Sequence, residues 1–376
     1  MIFADSRQGG AGLTPATSRL LKAETSPRTP QRRQALGQKN RWKPTASLAA
    51  ARRVFAPVFR NLAAAIGFVG LTALVQAQEA PRFTGIQPLT NRETLLQVTG
   101  SAGVNYRLEV SASLPQWDPL FTLLSTGLNQ YTDSAAPYFS SRFYRATELS
   151  GTNFLTGDHL TTTNGDVVIH PINHASFVMS WNGKMIYNDP VGASTLYAGL
   201  PKADLILVSH SHGDHFSGTT LNAVTNANAV IIAPQAVFNS LSTAQRAITI
   251  VLTNRASTNV MGLTIEAIPA YNANHPVGTG NGYVLNIGGK RVYMSGDTGN
   301  IPEMRALTNI DVAFLCMNQP YTMTANDATN AVSAFRPGVV YPYHYEDQGG
   351  SRVNASLFKQ RLRSDLGIEV RLRKWY

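Results

Sequence analysis

Four side chains able to bind a metal lie within six consecutive residues of this sequence. His210, His212, Asp214 and His215 directly follow the apolar run Ala203–Val208, which predicts a buried strand that ends in a loop. Because alternate residues of an extended loop project to the same side, His210 and His212 can bind one ion while Asp214 and His215 face a second. Imidazole nitrogen and carboxylate oxygen suit Zn²⁺, with Mn²⁺ or Fe²⁺ as alternatives. We therefore expect a site for two divalent metal ions.

The pattern His-x-His-x-Asp-His resembles the signature of the metallo-β-lactamase superfamily, and the resemblance covers about residues 160–376. It implies a hydrolase with an α/β fold, the αββα sandwich. Further stretches resemble the branch that contains ascorbate-6-phosphate lactonase and the N-acylphosphatidylethanolamine-hydrolysing phospholipase D: Asn173–Ser176, Tyr187–Pro190, Asn281–Tyr283, Gly296–Thr298 with Pro302–Met304, and Pro342–His344. Cys316 departs from this pattern, where proline is expected, and the change should affect packing only.

The resemblance also implies the remaining metal ligands. The family has a later histidine, an aspartate that bridges both ions and a final histidine, and these fall on His275, Asp297 and His344. The implied ligands form two sets of four that share the bridging aspartate: His210, His212, His275 and Asp297 for the first ion, and Asp214, His215, Asp297 and His344 for the second.

Three residues are candidates for roles beside the metals. Asp214 is expected to orient the nucleophile and to move its proton. For His174 two interpretations stay open: a group that faces the substrate near the site, or a core histidine whose nitrogens bond to the backbone. Asp189 is expected to support the ligands from behind.

Hydrolysis is the expected activity, because two ions about 3.5–4 Å apart can hold a bridging hydroxide and polarise a carbonyl or phosphoryl oxygen. The bond would be an ester, lactone, amide or phosphodiester in a small-molecule or lipid-like substrate. Related diiron oxygen reductases would carry glutamate in place of His212, which argues against oxygen chemistry. Related nucleases usually carry an inserted domain before the last ligand, whereas only 46 residues separate Asp297 from His344, which argues against nuclease activity. The alternative is a non-catalytic cell-surface binding protein with a structural metal site.

The charge of the chain gives no support for a nucleic-acid partner. Of the net charge of +10, the whole surplus lies in residues 1–60, with 12 Lys and Arg against 2 Asp and Glu; residues 61–376 carry 20 of each. The folded part is therefore neutral overall. Hydrophobic residues make up 43% of the chain, which is enough for a large core, and the single cysteine excludes an intramolecular disulfide.

An export signal is predicted at residues 51–77, after a basic leader at residues 1–50 that is expected to be disordered. Arg52, Arg53 and Arg60 precede an uncharged stretch, residues 61–78, and Val75–Ala77 supplies the small residues that a signal peptidase reads. The arginine pair also resembles a twin-arginine signal. The alternatives are an uncleaved membrane anchor and a true start downstream of the leader. We expect a periplasmic or extracellular protein.

Two modules are predicted after the signal. Residues 79–150 show short β-rich runs between turn residues, which are typical of a small fibronectin-like sandwich. Residues 156–376 show unbroken apolar runs, typical of strands buried on both faces, between predicted helices at Thr219–Thr225, Pro234–Ser242, Asn300–Leu307, Ala325–Phe335 and Ala355–Leu366. We assign no chemistry to the first module. Its aromatic residues are interpreted as packing residues, with contact to the envelope or to glycans as the alternative.

Overall fold

The computed structural model describes residues 79–151, 154–346 and 349–376. The predicted leader and export signal lie outside these residues. Within the described ranges, no helix has both the length and the apolar character needed to cross a membrane.

The first six strands form two small sheets packed face to face. They are β1 (Arg82–Pro88), β2 (Thr94–Thr99), β3 (Asn105–Ser111), β4 (Asp118–Leu124), β5 (Leu128–Asp133) and β6 (Phe143–Glu148). One sheet has the order β1-β2-β5, and β3 pairs antiparallel with both β4 and β6 in the other. Leu96, Leu108 and Tyr131 contribute to one core shared by the two sheets. This is the all-β sandwich that the sequence predicts.

The next seven strands continue the second of these sheets. They are β7 (Gly157–Thr162), β8 (Gly165–Asn173), β9 (Ser176–Trp181), β10 (Lys184–Asn188), β11 (Ala203–Leu207), β12 (Thr225–Ala233) and β13 (Thr249–Val251). Because β4 pairs with β7, ten strands form one sheet in the order β13-β12-β11-β10-β9-β8-β7-β4-β3-β6. The sheet therefore crosses the predicted border between the two modules, and their division into separate domains stays a prediction.

The last seven strands form a sheet of their own in sequence order. They are β14 (Ser257–Val260), β15 (Leu263–Asn272), β16 (His275–Ile287), β17 (Lys290–Met294), β18 (Val312–Cys316), β19 (Val339–Tyr343) and β20 (Glu369–Val370). Ile186 and Leu207 of the ten-stranded sheet share the main core with Leu285 and Phe314 of this sheet. The main core thus lies between the two sheets.

The described residues contain six short α-helices, which flank the two large sheets. They are α1 (Gly218–Val224), α2 (Gln235–Ser240), α3 (Thr243–Ala247), α4 (Pro302–Arg305), α5 (Ala325–Phe335) and α6 (Val353–Arg361). Leu221 of α1 packs in one cluster with Ile206 of β11, and Phe335 of α5 contacts Tyr293 of β17 with ring centroids 6.0 Å apart. The layers are therefore αββα, which confirms the predicted fold class.

Three helices differ in length from the prediction, and one of them, predicted at Ala355–Leu366, spans Val353–Arg361. The predicted helix Pro234–Ser242 ends at Ser240, because Ser242 caps the separate helix α3 through a reciprocal pair of hydrogen bonds with Gln245. The predicted helix Asn300–Leu307 is a single turn that begins at Pro302, where proline favours a helix start.

One edge of the two sheets collects the loops that carry the candidate residues. Strands β10 and β11 are parallel, and so are β17, β18 and β19. Because parallel strands point the same way, the loops that follow them leave the sheet at one edge. The loops after β11, β17 and β19 carry six of the seven predicted metal ligands, and the seventh, His275, begins β16, which is antiparallel to β17.

A buried ionic cluster joins β7 to the last residues of the described chain. Asp158 accepts bonds from Arg373 Nε and Nη2 over 2.8 and 2.9 Å, and from the hydroxyls of Tyr131 and Tyr341 over 3.0 and 2.9 Å. Burial on its own raises the pKa of Asp158, but the guanidiniums of Arg373 and Arg371 outweigh burial and lower it. Asp158 is therefore an ionised carboxylate that connects the ten-stranded sheet to the three-stranded and the seven-stranded sheets.

Candidate metal centre

The loop after β11 holds the densest group of candidate ligands. Near its start, Ser209 donates its backbone N–H to Asp189 Oδ1 over 2.7 Å and its hydroxyl to Asp189 Oδ2 over 2.8 Å. Asp189 directly follows β10, so these bonds join two neighbouring loops. Further along, the N–H groups of His215 and Phe216 donate to the carbonyl of His212 over 3.0 and 2.8 Å. The loop that carries four of the candidate ligands is thus fixed at both ends.

Three histidines form the first set of ligands. The ligand nitrogens of His210, His212 and His275 all lie within 4.8 Å of one another. His275 begins β16, and Asn272 accepts bonds from its backbone N–H over 3.1 Å and from its Nδ1 over 2.9 Å. Because Nδ1 is held in this way, Nε2 of His275 is the nitrogen that remains for a metal.

The second set contains Asp214, His215 and His344, together with His174. Asp214 Oδ2 lies 3.3 Å from His344 Nε2 and 3.9 Å from His215 Nε2. His215 donates from Nδ1 to Asp189 Oδ2 over 2.9 Å, which leaves its Nε2 for the set. His344 has a φ of 47°, a left-handed conformation that costs about 1 kcal/mol or more for a residue other than glycine. Surrounding contacts must hold it there, and one is the bond from its N–H to the carbonyl of His174 over 3.1 Å.

Asp297 lies between the two sets and offers one oxygen to each. Its Oδ2 is 3.4 Å from His275 Nε2 and 4.0 Å from His210 Nε2. Its Oδ1 is 3.2 Å from His215 Nε2 and 3.5 Å from His344 Nε2. A single carboxylate therefore reaches both sets, as a bridging ligand must. All seven residues that the sequence assigns to the metals meet at this place.

The donor atoms of the site fit divalent metal ions. Five of them are buried and make no hydrogen bond within the described chain: Nε2 of His210, His215, His275 and His344, and Oδ1 of Asp297. A buried polar atom without a partner costs about 1–3 kcal/mol, so such a group signals a missing partner. Two ligands of one tetrahedral Zn²⁺ at about 2.0–2.1 Å lie roughly 3.3 Å apart, which is close to the distances around Asp297.

The charges in the site are those of metal ligands. Burial is the main cause that lowers the pKa of His210 to about 2, and the nearby His215 is the second. Burial also lowers the pKa of His275 and His344, so all three rings are neutral. Burial raises the pKa of Asp297, but His344 and His215 outweigh burial and lower it, so the carboxylate is ionised. For His215, burial opposes protonation, yet the neighbouring carboxylates raise its pKa well above the usual value. A bound ion would take the place of that proton.

His174 faces the second set and is not satisfied by the backbone alone. Its Nε2 lies 3.2 Å from Asp214 Oδ2, its Nδ1 lies 3.0 Å from the hydroxyl of Tyr376, and its ring centroid is 3.7 Å from that of His344. The Tyr376 hydroxyl accepts a bond from the N–H of Glu346 over 3.2 Å, so its own hydrogen is available to His174 Nδ1. Of the two interpretations left open by the sequence, the geometry favours the one that places His174 beside the site.

Sequence reasoning did not identify three residues that support the site. Ser209 bonds to Asp189 and lies 3.0 Å from His210 Nδ1, Asn272 holds His275, and Tyr376 bonds to His174. Ser209 and Asn272 are polar residues close to a ligand in the sequence, which is a weak signal. Tyr376 is 202 positions from its partner, so only the fold reveals it.

Cys316 ends β18 and takes no part in the donor sets. Its thiol is buried and donates to the carbonyl of Thr298 over 3.6 Å. Burial raises the pKa of this thiol to about 12, so it stays protonated and is a poor nucleophile. Its role is packing, as the sequence analysis predicts.

Known proteins resemble the part of the chain that contains this site. The beta-lactamase superfamily domain matches residues 168–344. A metal-dependent hydrolase from Thermococcus onnurineus is 30% identical over 190 residues, covering 48% of this chain and 84% of that protein. Another, from Thermus thermophilus, is 29% identical over 216 residues, covering 54% of this chain and 94% of that protein.

Solved structures resemble it as well. A crystal structure described as a metal-dependent hydrolase from Parabacteroides distasonis is 38% identical, with a TM-score of 0.53, and the match covers 59% of this chain and 100% of that one. The fold, the convergent donor atoms and these relatives lead to one conclusion: the chain belongs to the metallo-β-lactamase superfamily of metal-dependent hydrolases.

Proposed function

We propose that this hydrolase is a dinuclear zinc enzyme that cleaves an ester, lactone, amide or phosphodiester bond in a small-molecule or lipid-like substrate. The observation that carries the proposal is Asp297, whose two oxygens each lie close to a different set of buried nitrogens. Mn²⁺ and Fe²⁺ are the alternatives to zinc, because imidazole and carboxylate suit them too. The resemblance to the lactonase and phospholipase branch supports this range of bonds and stays a prediction.

The chain supplies a separate set of ligands for each ion, and the two sets share Asp297. His210, His212 and His275 with Asp297 Oδ2 would hold the first ion, whereas Asp214 and the remaining ligands with Asp297 Oδ1 would hold the second. When bound, two such ions lower the pKa of a water molecule towards 7 and polarise the substrate oxygen. The protein fixes the geometry beforehand, because Asp189 and Asn272 hold the far nitrogens of His215 and His275.

Asp214 and His174 are placed to handle the proton of the attacking water. Asp214 keeps 45% of its side-chain exposure, so its carboxylate reaches the open side of the site. Since the Tyr376 hydroxyl can donate to His174 Nδ1, the Nε2–H of His174 donates to Asp214 Oδ2. That bond leaves Asp214 Oδ1 to orient the water and to accept its proton. We assign Asp214 and His174 as the catalytic residues.

Metal analysis and a hydrolysis panel test the proposal. The full chain loaded with zinc should hold about two ions per chain. Asp297→Ala should bind fewer than two zinc ions and should have no hydrolytic activity. His159→Gln is the matched control for a ligand change such as His275→Gln, because His159 bonds to Thr122 and Asp166 outside the site. Folded protein that binds no metal would contradict the proposal and would favour the non-catalytic binding protein.

We also propose that the protein is exported. The support is the uncharged stretch at residues 61–78 after three arginines, with small residues at the expected cleavage position. Cell fractionation followed by N-terminal sequencing tests it: a mature chain that starts near residue 78 in the periplasm or medium is expected. Full-length protein retained in the cytoplasm would contradict it. The all-β sandwich could contact the envelope or glycans only if the protein is exported.

A further inference from the structure

The cavity beside the metal centre has one wall that the proposed mechanism does not use. It encloses about 360 Å³, within the range of roughly 300–1,000 Å³ of small-molecule sites. Four of its lining residues are proposed ligands, among them Asp214 and Asp297. The other three are Asn274, Asn318 and Tyr321, and no Lys or Arg of the described residues lines this cavity. The wall opposite the ligands is therefore polar and uncharged.

Asn318 is the most deeply buried of these three residues, and its side chain has no hydrogen-bond partner among the described residues. It keeps only 8% of its exposure. Asn274 Nδ2, in contrast, already donates to the carbonyl of Tyr321 over 3.4 Å. Both polar atoms of the Asn318 carboxamide keep some exposure, so its two donors and its acceptor are open to the cavity. Since Asn318 lines the cavity, the open volume there is where a partner can sit.

The backbone around Asn318 is rigid and tied to a ligand. The N–H of the preceding residue, Met317, donates to the carbonyl of His344 over 3.0 Å. The carbonyl of Asn318 accepts from the N–H groups of Tyr321 and Thr322 over 2.9 and 2.7 Å. A short flexible loop would lose entropy on binding, whereas this backbone is already ordered. The point from which the Asn318 side chain extends is thus set relative to the metal ligands.

From these observations we infer that Asn318 is a specificity residue that hydrogen-bonds an uncharged oxygen of the substrate beside the scissile bond. The inference rests on the proposed hydrolase function and narrows it. This part of the lining has no Lys or Arg among the described residues, so only the two proposed ions could compensate an anionic group, whereas a neutral ester, lactone or amide needs no such compensation. A phosphodiester, which carries a charge next to the cleaved bond, is therefore expected to be the poorer substrate.

Two reporter substrates with the same leaving group test the inference in the full, zinc-loaded chain: p-nitrophenyl acetate and bis(p-nitrophenyl) phosphate. We expect the enzyme to prefer the neutral ester. Asn318→Ala should lower kcat/KM for the ester roughly tenfold, as expected for one lost hydrogen bond, and should change kcat/KM for the phosphodiester less than twofold. The ratio of the two values cancels any general loss of active enzyme. Asn239→Ala, at an exposed position of α2, is the matched control.

A binding measurement on the wild-type chain gives a readout that does not depend on turnover. With ¹⁵N-labelled asparagine, the side-chain amide signal of Asn318 should shift when the neutral lactam δ-valerolactam is added and should not shift with dimethyl phosphate. A signal that does not shift with the lactam would overturn the inference. So would an Asn318→Ala variant with normal metal content whose ratio of kcat/KM for the ester to kcat/KM for the phosphodiester stays within twofold of wild type. A wild-type chain that hydrolyses neither substrate would instead refute the proposed function, and the amide signal would then decide the role of Asn318.

Discussion

Replacing Asp189 by asparagine should weaken zinc binding without touching a metal ligand. Asp189 is fully buried and accepts three hydrogen bonds, from the N–H and hydroxyl of Ser209 and from Nδ1 of His215. Asparagine has the same shape and tolerates the φ of 41° found here, but its NH₂ group cannot accept a bond. At least one of the three donors would therefore lose its acceptor, and the charge that orients the imidazole of His215 would be lost.

The expected loss of zinc affinity is 10- to 100-fold, or about 1.4–2.7 kcal/mol, which is the usual effect of removing the partner of a metal-binding histidine. Competition with a chromogenic zinc chelator measures the affinity for each zinc ion. The ion whose affinity falls should be the one that His215 binds. Asp311→Asn is the matched control, because Asp311 accepts bonds from Lys290 and Arg291 at the start of β18, the opposite end of the strand from the site. Unchanged affinity for both zinc equivalents in Asp189→Asn would refute the reasoning.

Three further predictions concern stability and the hydrogen bond to His174. Asp158→Asn should lower the free energy of unfolding by about 3–5 kcal/mol, because it leaves Arg373 buried without its charge partner, and urea titration measures this. The pKa of Asp158 is lower in the folded than in the unfolded chain, so its contribution to stability is fully present above about pH 3.9 and is lost as the pH falls through the folded pKa. The stability of Asp158→Asn should lack this dependence on pH between neutral pH and acid. Gly296→Ala should reduce the melting temperature, because φ is 57° there and a Cβ would lie 2.8 Å from a backbone oxygen; a melting curve equal to wild type would contradict this. Tyr376→Phe should lower kcat several-fold at unchanged zinc content, because His174 loses the donor to its Nδ1, and an unchanged kcat would argue against a role for that bond.

The sequence predicts the fold class well because its signals are local. The apolar run Ala203–Val208 gives β11, which ends at Leu207, and the helical period at Ala325–Phe335 gives α5 with the same bounds. Family resemblance supplies what local pattern cannot, namely the order of layers and the convergence of His275, Asp297 and His344 with the early loop. The family is confirmed by the relatives, whereas the role of each ligand stays a prediction that the geometry supports.

Contacts between distant segments were beyond sequence reasoning. Nothing in the local pattern shows that β4 pairs with β7, or that Tyr376 reaches His174 across 202 positions. The unpaired carboxamide of Asn318 is likewise invisible in the sequence, because an asparagine after a strand is ordinarily a turn residue. Burial and missing partners, which distinguish it, exist only in the folded chain.

Anomalous diffraction from crystals of the zinc-loaded protein, recorded at the zinc absorption edge, tests the central claim most directly. Two peaks are predicted, one on each side of the Asp297 carboxylate: the first within about 2.0–2.2 Å of the nitrogens of His210, His212 and His275, the second at the same distance from Asp214, His215 and His344. A single peak, or peaks that leave His275 or His344 without an ion, would contradict the dinuclear centre.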